Sequence, residues 1–369
     1  MEFCSSTHRR HWIFTKDVLR GVQEETARLS AEACAEGTVL EGSRSFAVTR
    51  STAEPPPVFK TKKEITAKAE GGARNGDSVG ACAGEGDGGG ERKRPAPGLE
   101  PILTVEEEGL VKSYYAKKIQ ETCGRNSADE DLRRSDKVQA TAVAYFQRFY
   151  LSNSVLEHDP KLLSLTSVFL ASKTEEQITN VNNLAKATGL DDLQILGKDE
   201  GVLLEGLSFH LAVFHPYRAL PALVDGAWLK ARAAGVRPQK DRIEALQDGA
   251  RATLDDILVT DLPFLHPPSR LALAALLREG RQMEAPPFDV ALMLGKEFGD
   301  RKGWKGVLEQ ANRLAQDMDS FVPYRVEKEK LIAVNKKLKK HALWSVKRGG
   351  GSAEGRRDRR KSKKMKTEA

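Results

Sequence analysis

The sequence predicts an all-α fold of two tandem five-helix repeats flanked by N- and C-terminal helices. A string at Arg148–Ser172, RFYLSNSVLEHDPKLLSLTSVFLAS, returns without a gap 108 positions later, from Asp256 to Glu279. His158 falls on His266, Pro160 on Pro268, Leu163 on Leu271, Leu165 on Leu273 and Phe169 on Leu277. Each copy places proline at the opening of a helix, where its missing N–H costs nothing, and the helix that follows is apolar on nearly every side. Such a helix must be central, with others packed round it. No stretch alternates polar and apolar residues with period two, so no strand pattern competes.

Taken in order, HRRHWIFTKDVLRGVQEETARL sets Trp12, Phe14, Val18, Leu19, Val22 and Leu29 at mixed helical spacing, which predicts an N-terminal helix within 8–47 packed on the core. From about Arg50 to Gly98 the composition changes. Pro55, Pro56 and Pro57 are followed by nine glycines within 71–90, with Val79 the single large aliphatic there. That segment cannot repay its ordering entropy and is expected to be disordered. Its G-x-G-x-x-G (Gly84, Gly86, Gly89) lacks the preceding strand and following helix that a pyrophosphate site needs. Order returns at Thr104, where T-x-x-E with Glu107 reads as a capping box. Helices are then expected at 104–123, 134–151, 160–176, 180–188 and 191–211. After the break at His215-Pro216, five more follow at 217–231, 240–260, 268–282, 287–298 and 303–321, then a last one at 324–344 carrying Val326, Leu331, Val334, Leu338 and Leu343. The implied units are a helical extension (1–49), a Gly/Pro-rich insert (50–99), two repeats (100–214 and 215–322), a C-terminal helix (323–345) and a basic, disordered tail (346–369).

Charge is unevenly spread. The net +7 divides into +12 for residues 323–369, which hold 17 Lys/Arg against 5 Asp/Glu, and −5 for the remainder. A nucleic-acid-binding core therefore has no charge support, and no direct specific DNA binding is expected. The dense run RRDRRKSKKMK (Arg356–Lys366), with Arg92-Lys93-Arg94 as a second cluster, reads as a nuclear-import signal. No run of about 18 apolar residues exists and MEFCSSTHRRHWIF lacks the apolar core of a signal peptide, so an intracellular protein with no membrane partner is expected. Cys4, Cys34, Cys82 and Cys123 are far apart and read as free thiols, with no metal site and no cofactor. No nucleophile elbow, H-E-x-x-H or kinase H-R-D and D-F-G set is present, and His210 and His215 read as structural histidines. The protein is not expected to be an enzyme.

Two charges interrupt apolar stripes. Leu162, Leu165 and Phe169 continue at helical spacing to Lys173, with Glu176 three residues on, and Glu200 stands inside the stripe Leu193, Leu196, Leu203, Leu204, Leu207, Leu211. A charge pair or shared target fits this spacing, because Lys and Glu are rarely buried unpaired. So does a snorkelling lysine at a helix C-terminus with Glu200 at a wet helix end.

FLASKTEEQ (Phe169–Gln177), AVAYFQRFYLSNSV (Ala142–Val155) and LSFHLAVFHPYRAL (Leu207–Leu220) resemble the cyclin box, and within the cyclins the cyclin H type. Tyr114-Tyr115, TDLPFLHPPSRLALAAL (Thr260–Leu276), the His11-Trp12-x-Phe14 start and a final charged helix agree, so the resemblance covers about 8–47 and 100–345. It implies that Lys173 and Glu200 hold the kinase segment preceding its regulatory helix, with Glu176 a weaker contact. It implies a regulatory subunit that activates a cyclin-dependent kinase of the cyclin-dependent kinase 7 type. That assembly is a CDK-activating kinase, completed by a RING-containing assembly factor, found within general transcription factor IIH (TFIIH) in the nucleus. Its substrates would be kinase activation loops and the RNA polymerase II tail. The cyclin C type and the nucleic-acid-gripping transcription factor IIB, which shares the duplicated fold, are the alternatives. The chain departs from cell-cycle cyclins at Tyr115-Ala116-Lys117-Lys118-Ile119, where they carry M-R-A-I-L, and at Gln147, where they carry Asp.

Overall fold

The computed structural model describes residues 7–36, 45–47, 58–60, 102–188, 193–237, 239–284, 286, 288–298, 303–320 and 325–344. Helices α1 (Thr7–Trp12) and α2 (Lys16–Glu36) precede the first repeat, which comprises α3 (Val105–Cys123), α4 (Asp136–Ser152), α5 (Pro160–Thr174), α6 (Val181–Thr188) and α7 (Leu193–Gly206). A 3-10 turn at Pro216–Arg218 leads into α8 (Ala219–Ala233), α9 (Lys240–Leu258), the single-turn α10 (Leu262–Leu265), α11 (Pro268–Gln282), α12 (Val290–Phe298) and α13 (Trp304–Met318). The last helix is α14 (Lys328–His341).

The duplication read in the sequence is a duplication in space. Central helices α5 and α11 are each 15 residues long and each opens on its proline. Asp159 caps α5, its carboxylate accepting from the Lys161 N–H at 2.9 Å. Leu162–Val168 and Leu170–Ser172 are buried on α5, as are Leu271–Arg278 on α11. Runs this long leave no solvated stripe, so each helix sits inside a ring: α5 among α3, α4 and α7, and α11 among α8, α9 and α13. The capping box at the head of α3 is complete, with Glu107 N–H donating to Thr104 Oγ1 (3.2 Å) and Thr104 N–H to the Glu107 carboxylate (3.0 Å).

The two repeats meet along the C-terminal end of α9. Gln139 Nε2 (3.0 Å), Arg125 Nη2 (2.8 Å) and the Tyr217 hydroxyl all donate to the Asp255 carboxylate, and Gln120 Nε2 donates to the Asp255 carbonyl (2.7 Å). Tyr217 belongs to the HPYR string, whose job here is to bring a buried phenol onto that carboxylate. Lys117 pairs with Asp256 at 2.8 Å and Gln147 Nε2 reaches the Thr260 carbonyl at 3.2 Å. Lys117 and Gln147, two of the positions singled out in the sequence, are thus tied to the seam. The N-terminal segment straddles both repeats. Thr26 Oγ1 donates to the Leu151 carbonyl (2.6 Å), Gln23 Nε2 to Asp261 (2.8 Å) and the Phe14 N–H to the Phe264 carbonyl (2.7 Å). At the other end α14 returns to α3, burying Leu331, Val334 and Leu338, while Trp344 Nε1 donates to the Val155 carbonyl at 3.0 Å.

Three expectations are corrected. Ser45–Ala47 (β1) and Val58–Lys60 (β2) form a short antiparallel ribbon with Phe46 opposite Phe59, within stretches read as helical extension and disordered insert. Phe and Val favour extended backbone. Three residues per arm are too few to show alternation. The fifth helix stops at Gly206 rather than near 211, because Ser208 and Phe209 turn left-handed. The N-terminal segment is two helices, broken at 13–15. The remainder of the insert and the basic tail lie outside the described residues. Among those residues, no helix is long and apolar enough to cross a membrane, and Cys34 and Cys123 are free thiols.

Candidate functional site

Two helix ends build the site. Helix α5 finishes in a turn in which the Gln177 N–H donates to the Ser172 carbonyl (2.9 Å) and the Glu176 N–H to the Lys173 carbonyl (3.2 Å). These are the two bonds of a Schellman motif, whose left-handed position usually belongs to glycine. Glutamate occupies it here, with Glu176 at φ 58°. Helix α7 ends the same way: Phe209 N–H to the Leu204 carbonyl (3.0 Å), Ser208 N–H to the Glu205 carbonyl (2.9 Å), with φ of 50° at Ser208 and 57° at Phe209. These are the only non-glycine residues with positive φ among the described residues. Each costs of order 1 kcal/mol, and strain of this kind persists where the surroundings over-determine it.

Lys173 and Glu200 meet: the Lys173 ammonium forms a salt bridge to Glu200 Oε1 from the last turn of α5 to α7. The same ammonium lies 4.5 Å from the centre of the Phe169 ring. The lysine side chain is 38% exposed and the glutamate 18%, so water still screens the pair and its contribution to folding is about 0–1 kcal/mol. Covering the pair with another protein would raise its weight, because the same charges attract more strongly once water is excluded. The turns that end the two helices also expose apolar side chains. Ile178 (76% exposed) follows the α5 turn and Phe209 (65%) lies in the α7 turn, and no other large apolar side chain described is as exposed. The Tyr145 hydroxyl ties the two ends together, donating to the Leu211 carbonyl (2.7 Å) and lying 3.2 Å from Thr174 Oγ1; its burial pushes the phenol up to about 12, so it stays a donor at any working pH.

Of the three residues singled out in the sequence, Glu176 does not join the pair. Its left-handed turn leaves the side chain exposed, with no hydrogen bond or ion pair among the described residues. Its neighbour Glu175 points inward instead, accepting from Thr141 Oγ1 (2.7 Å) and pairing with Lys137 (2.5 Å). His210 stacks on His11 (ring centroids 4.5 Å apart), and His215 opens the 3-10 turn; burial lowers both imidazoles below their ordinary range.

Comparison with known proteins gives two family matches: "Cyclin, N-terminal domain" over residues 128–212 and "Cyclin C-terminal domain" over 215–337. A relative called Cyclin-H1-1 from Arabidopsis thaliana is 33% identical over 245 residues, 65% of this chain and 68% of that one. The chain belongs to the cyclins, of the cyclin H type. Cyclin-H of Xenopus laevis is 36% identical over 208 residues, covering 53% of this chain and 61% of its own. Cyclin CCL1 of Saccharomyces cerevisiae is 31% identical over 54% of this chain and 47% of its own, so the match spans about half of that relative. Among solved structures, the CAK complex of Chaetomium thermophilum bound to ATP-gamma-S contains a chain of the same fold (TM-score 0.65, 21% identity, 96% of each chain). A second is found in the yeast TFIIK (Kin28/Ccl1/Tfb3) complex (TM-score 0.53, 22% identity, 85% of this chain and 100% of that one).

In this cyclin the sequence pointed to the charges but not to what holds them. Arg134 grips the loop after α5, its Nε donating to the Gln177 carbonyl (3.2 Å) and Thr179 Oγ1 (3.1 Å), and so fixes the strand of chain that presents Ile178. Nothing in the spacing around Arg134 announces this, because its partners lie more than 40 residues away.

Proposed function

We propose that this cyclin is the regulatory subunit of a CDK-activating kinase, and that Lys173, Glu200 and the neighbouring Ile178 and Phe209 form the surface that grips the kinase. A kinase works only when its strand-three lysine meets a glutamate on the αC helix. A rigid helical partner that binds the active arrangement more tightly shifts the population towards it. The observation that carries the reading is the partly exposed Lys173–Glu200 pair, on two helices whose left-handed C-terminal turns lead into the two most exposed apolar side chains described. Glu176, exposed on the α5 turn, is a lesser contact on the same surface. The relatives named Cyclin-H and the fold shared with chains of the CAK and TFIIK assemblies support the same reading. The partner is then a cyclin-dependent kinase of the cyclin-dependent kinase 7 type, with a RING-containing assembly factor, inside TFIIH. The purified subunit should turn over no ATP alone and should activate such a kinase on mixing. ATP turnover by the isolated chain, or failure to raise the activity of any cyclin-dependent kinase, would refute it.

That role implies a nuclear protein, and the basic run Arg356–Lys366 suits import. Truncation after Ser352 should leave kinase activation in a tube unchanged and reduce nuclear accumulation of a tagged protein, as read by microscopy.

A further inference from the structure

Among the described residues, a guanidinium is buried without a carboxylate partner at the junction of α1 and the two repeats. Arg148, on α4, is 1% exposed. Its plane lies over the Trp12 ring, with the guanidinium carbon 4.9 Å from the centroid, and Nη1 reaches only the His210 carbonyl, at 3.4 Å. Nη2 has no hydrogen-bond partner, and no carboxylate pairs with Arg148 among the described residues. Arg148 lines a narrow cavity of about 30 Å³ between α1, α4, the chain at 213–216 and the α10–α11 corner. The other titratable groups in its wall are His8 and His215. His8 Nδ1 accepts from the Phe214 N–H at 3.0 Å, which leaves its proton on Nε2, and His215 Nδ1 is buried with no partner. The rest of the lining is apolar apart from Gln147.

A lone charge taken out of water costs several kcal/mol unless it is paired, and removing one partner of a buried pair is among the more damaging changes a protein can suffer. A wall that carries one fixed cation, two histidines and no acid has the composition of an anion site. The electrostatics agree. Burial draws Arg148 down to about 9, and burial together with Arg148 and His215 holds His8 near 2, so the cavity as it stands disfavours every cation in it. We infer that this seam cavity binds one small anion, of the size of chloride or formate, on the Arg148 guanidinium, and that the anion fastens α1 to the two repeats. The volume decides the size: it admits one or two water-sized bodies and not a phosphorylated side chain or a nucleotide.

The test is a thermal-melting titration of the full chain with sodium chloride and sodium formate, against sodium gluconate at equal ionic strength, because gluconate is too large for the cavity. Melting temperature should rise saturably with the two small anions and not with gluconate. The ring protons of His8 and His215 should move over the same concentration range in NMR spectra. Arg148→Gln should abolish the difference between salts. If that variant does not fold, the wild-type titration and the histidine shifts decide alone. Equal melting temperatures in all three salts with unmoved histidine signals, or a full small-anion response retained in Arg148→Gln, would overturn the assignment and leave the cavity to water.

Discussion

The two central helices have the same length and the same proline start 108 residues apart, yet their C-terminal ends do opposite things with charge. At the end of α11 Arg278 Nε (2.9 Å), Gln282 Nε2 (2.9 Å) and Arg281 Nη2 (3.5 Å) all converge on Asp319, the residue that closes α13. Arg281 stands where Lys173 stands in the first repeat. The second repeat therefore consumes its charges internally and ends α11 in extended backbone at Met283, without a left-handed residue. The first repeat leaves one partly exposed pair and three described residues in left-handed backbone, and its Ile178 (76% exposed) and Phe209 (65%) stand further into solvent than the second repeat's Leu229 (56%) and Leu292 (50%). Under the proposed function, the end of the first repeat is the one that meets a partner.

The largest effect should separate the two ends by what each variant loses. Lys173→Ala is expected to weaken kinase binding by about 2–5 kcal/mol, the range for truncating one member of a charge pair that an interface buries, while melting temperature stays close to wild type. Arg278→Ala should show the reverse. Loss of hydrogen bonds from a nearly buried guanidinium to Asp319 should cost about 2 kcal/mol of folding stability in urea, with kinase affinity unchanged. If both variants lose both properties equally, the contrast between the repeats fails.

Acid should find the seam before it finds either repeat. His8 titrates near 2 in the folded state against an ordinary 6.5, so its contribution to stability is complete above about pH 6.5 and is lost as pH falls, at about 1.4 kcal/mol per unit until α1 detaches. His8→Phe should reduce the slope of the stability profile between pH 6.5 and 5, leaving the part due to the other lowered histidines, His210, His215 and His266, measured by urea unfolding at each pH. The smallest effect tests the strain. Glu176→Gly relieves a left-handed glutamate and should stabilise the free subunit by about 1 kcal/mol. A loss of kinase affinity in the same variant would make Glu176 a contact, and an unchanged affinity would confine it to the turn.

What the sequence disclosed follows from the range over which each signal acts. Helix positions, the capping box at Thr104 and the buried α5 and α11 were legible because periodicity, caps and proline act within a few residues. Lys173 and Glu200 were legible as misfits on apolar stripes, and the resemblance to cyclins gave them a purpose. The end of α7 was misread because Leu207 and Leu211 continue the helical spacing across a turn that carries no glycine to mark it. The same lack of a marker hid the opposite directions of Glu175 and Glu176. Asp255 and Arg148 were invisible for another reason: their environments are made by residues that lie 38 to 130 positions away at Asp255 and 62 away at the His210 carbonyl.

A double-mutant cycle on Lys173→Ala and Glu200→Ala, run once on the melting of the free subunit and once on its affinity for the kinase, tests most directly whether the first repeat's charges are kept for a partner. The account predicts a coupling of at most about 1 kcal/mol in the free subunit and a clearly larger one, about 1.5 kcal/mol or more, in the complex. Full coupling already present in the melting of the free subunit, with kinase affinity untouched by either substitution, would contradict it and return the pair to the internal bookkeeping of the fold.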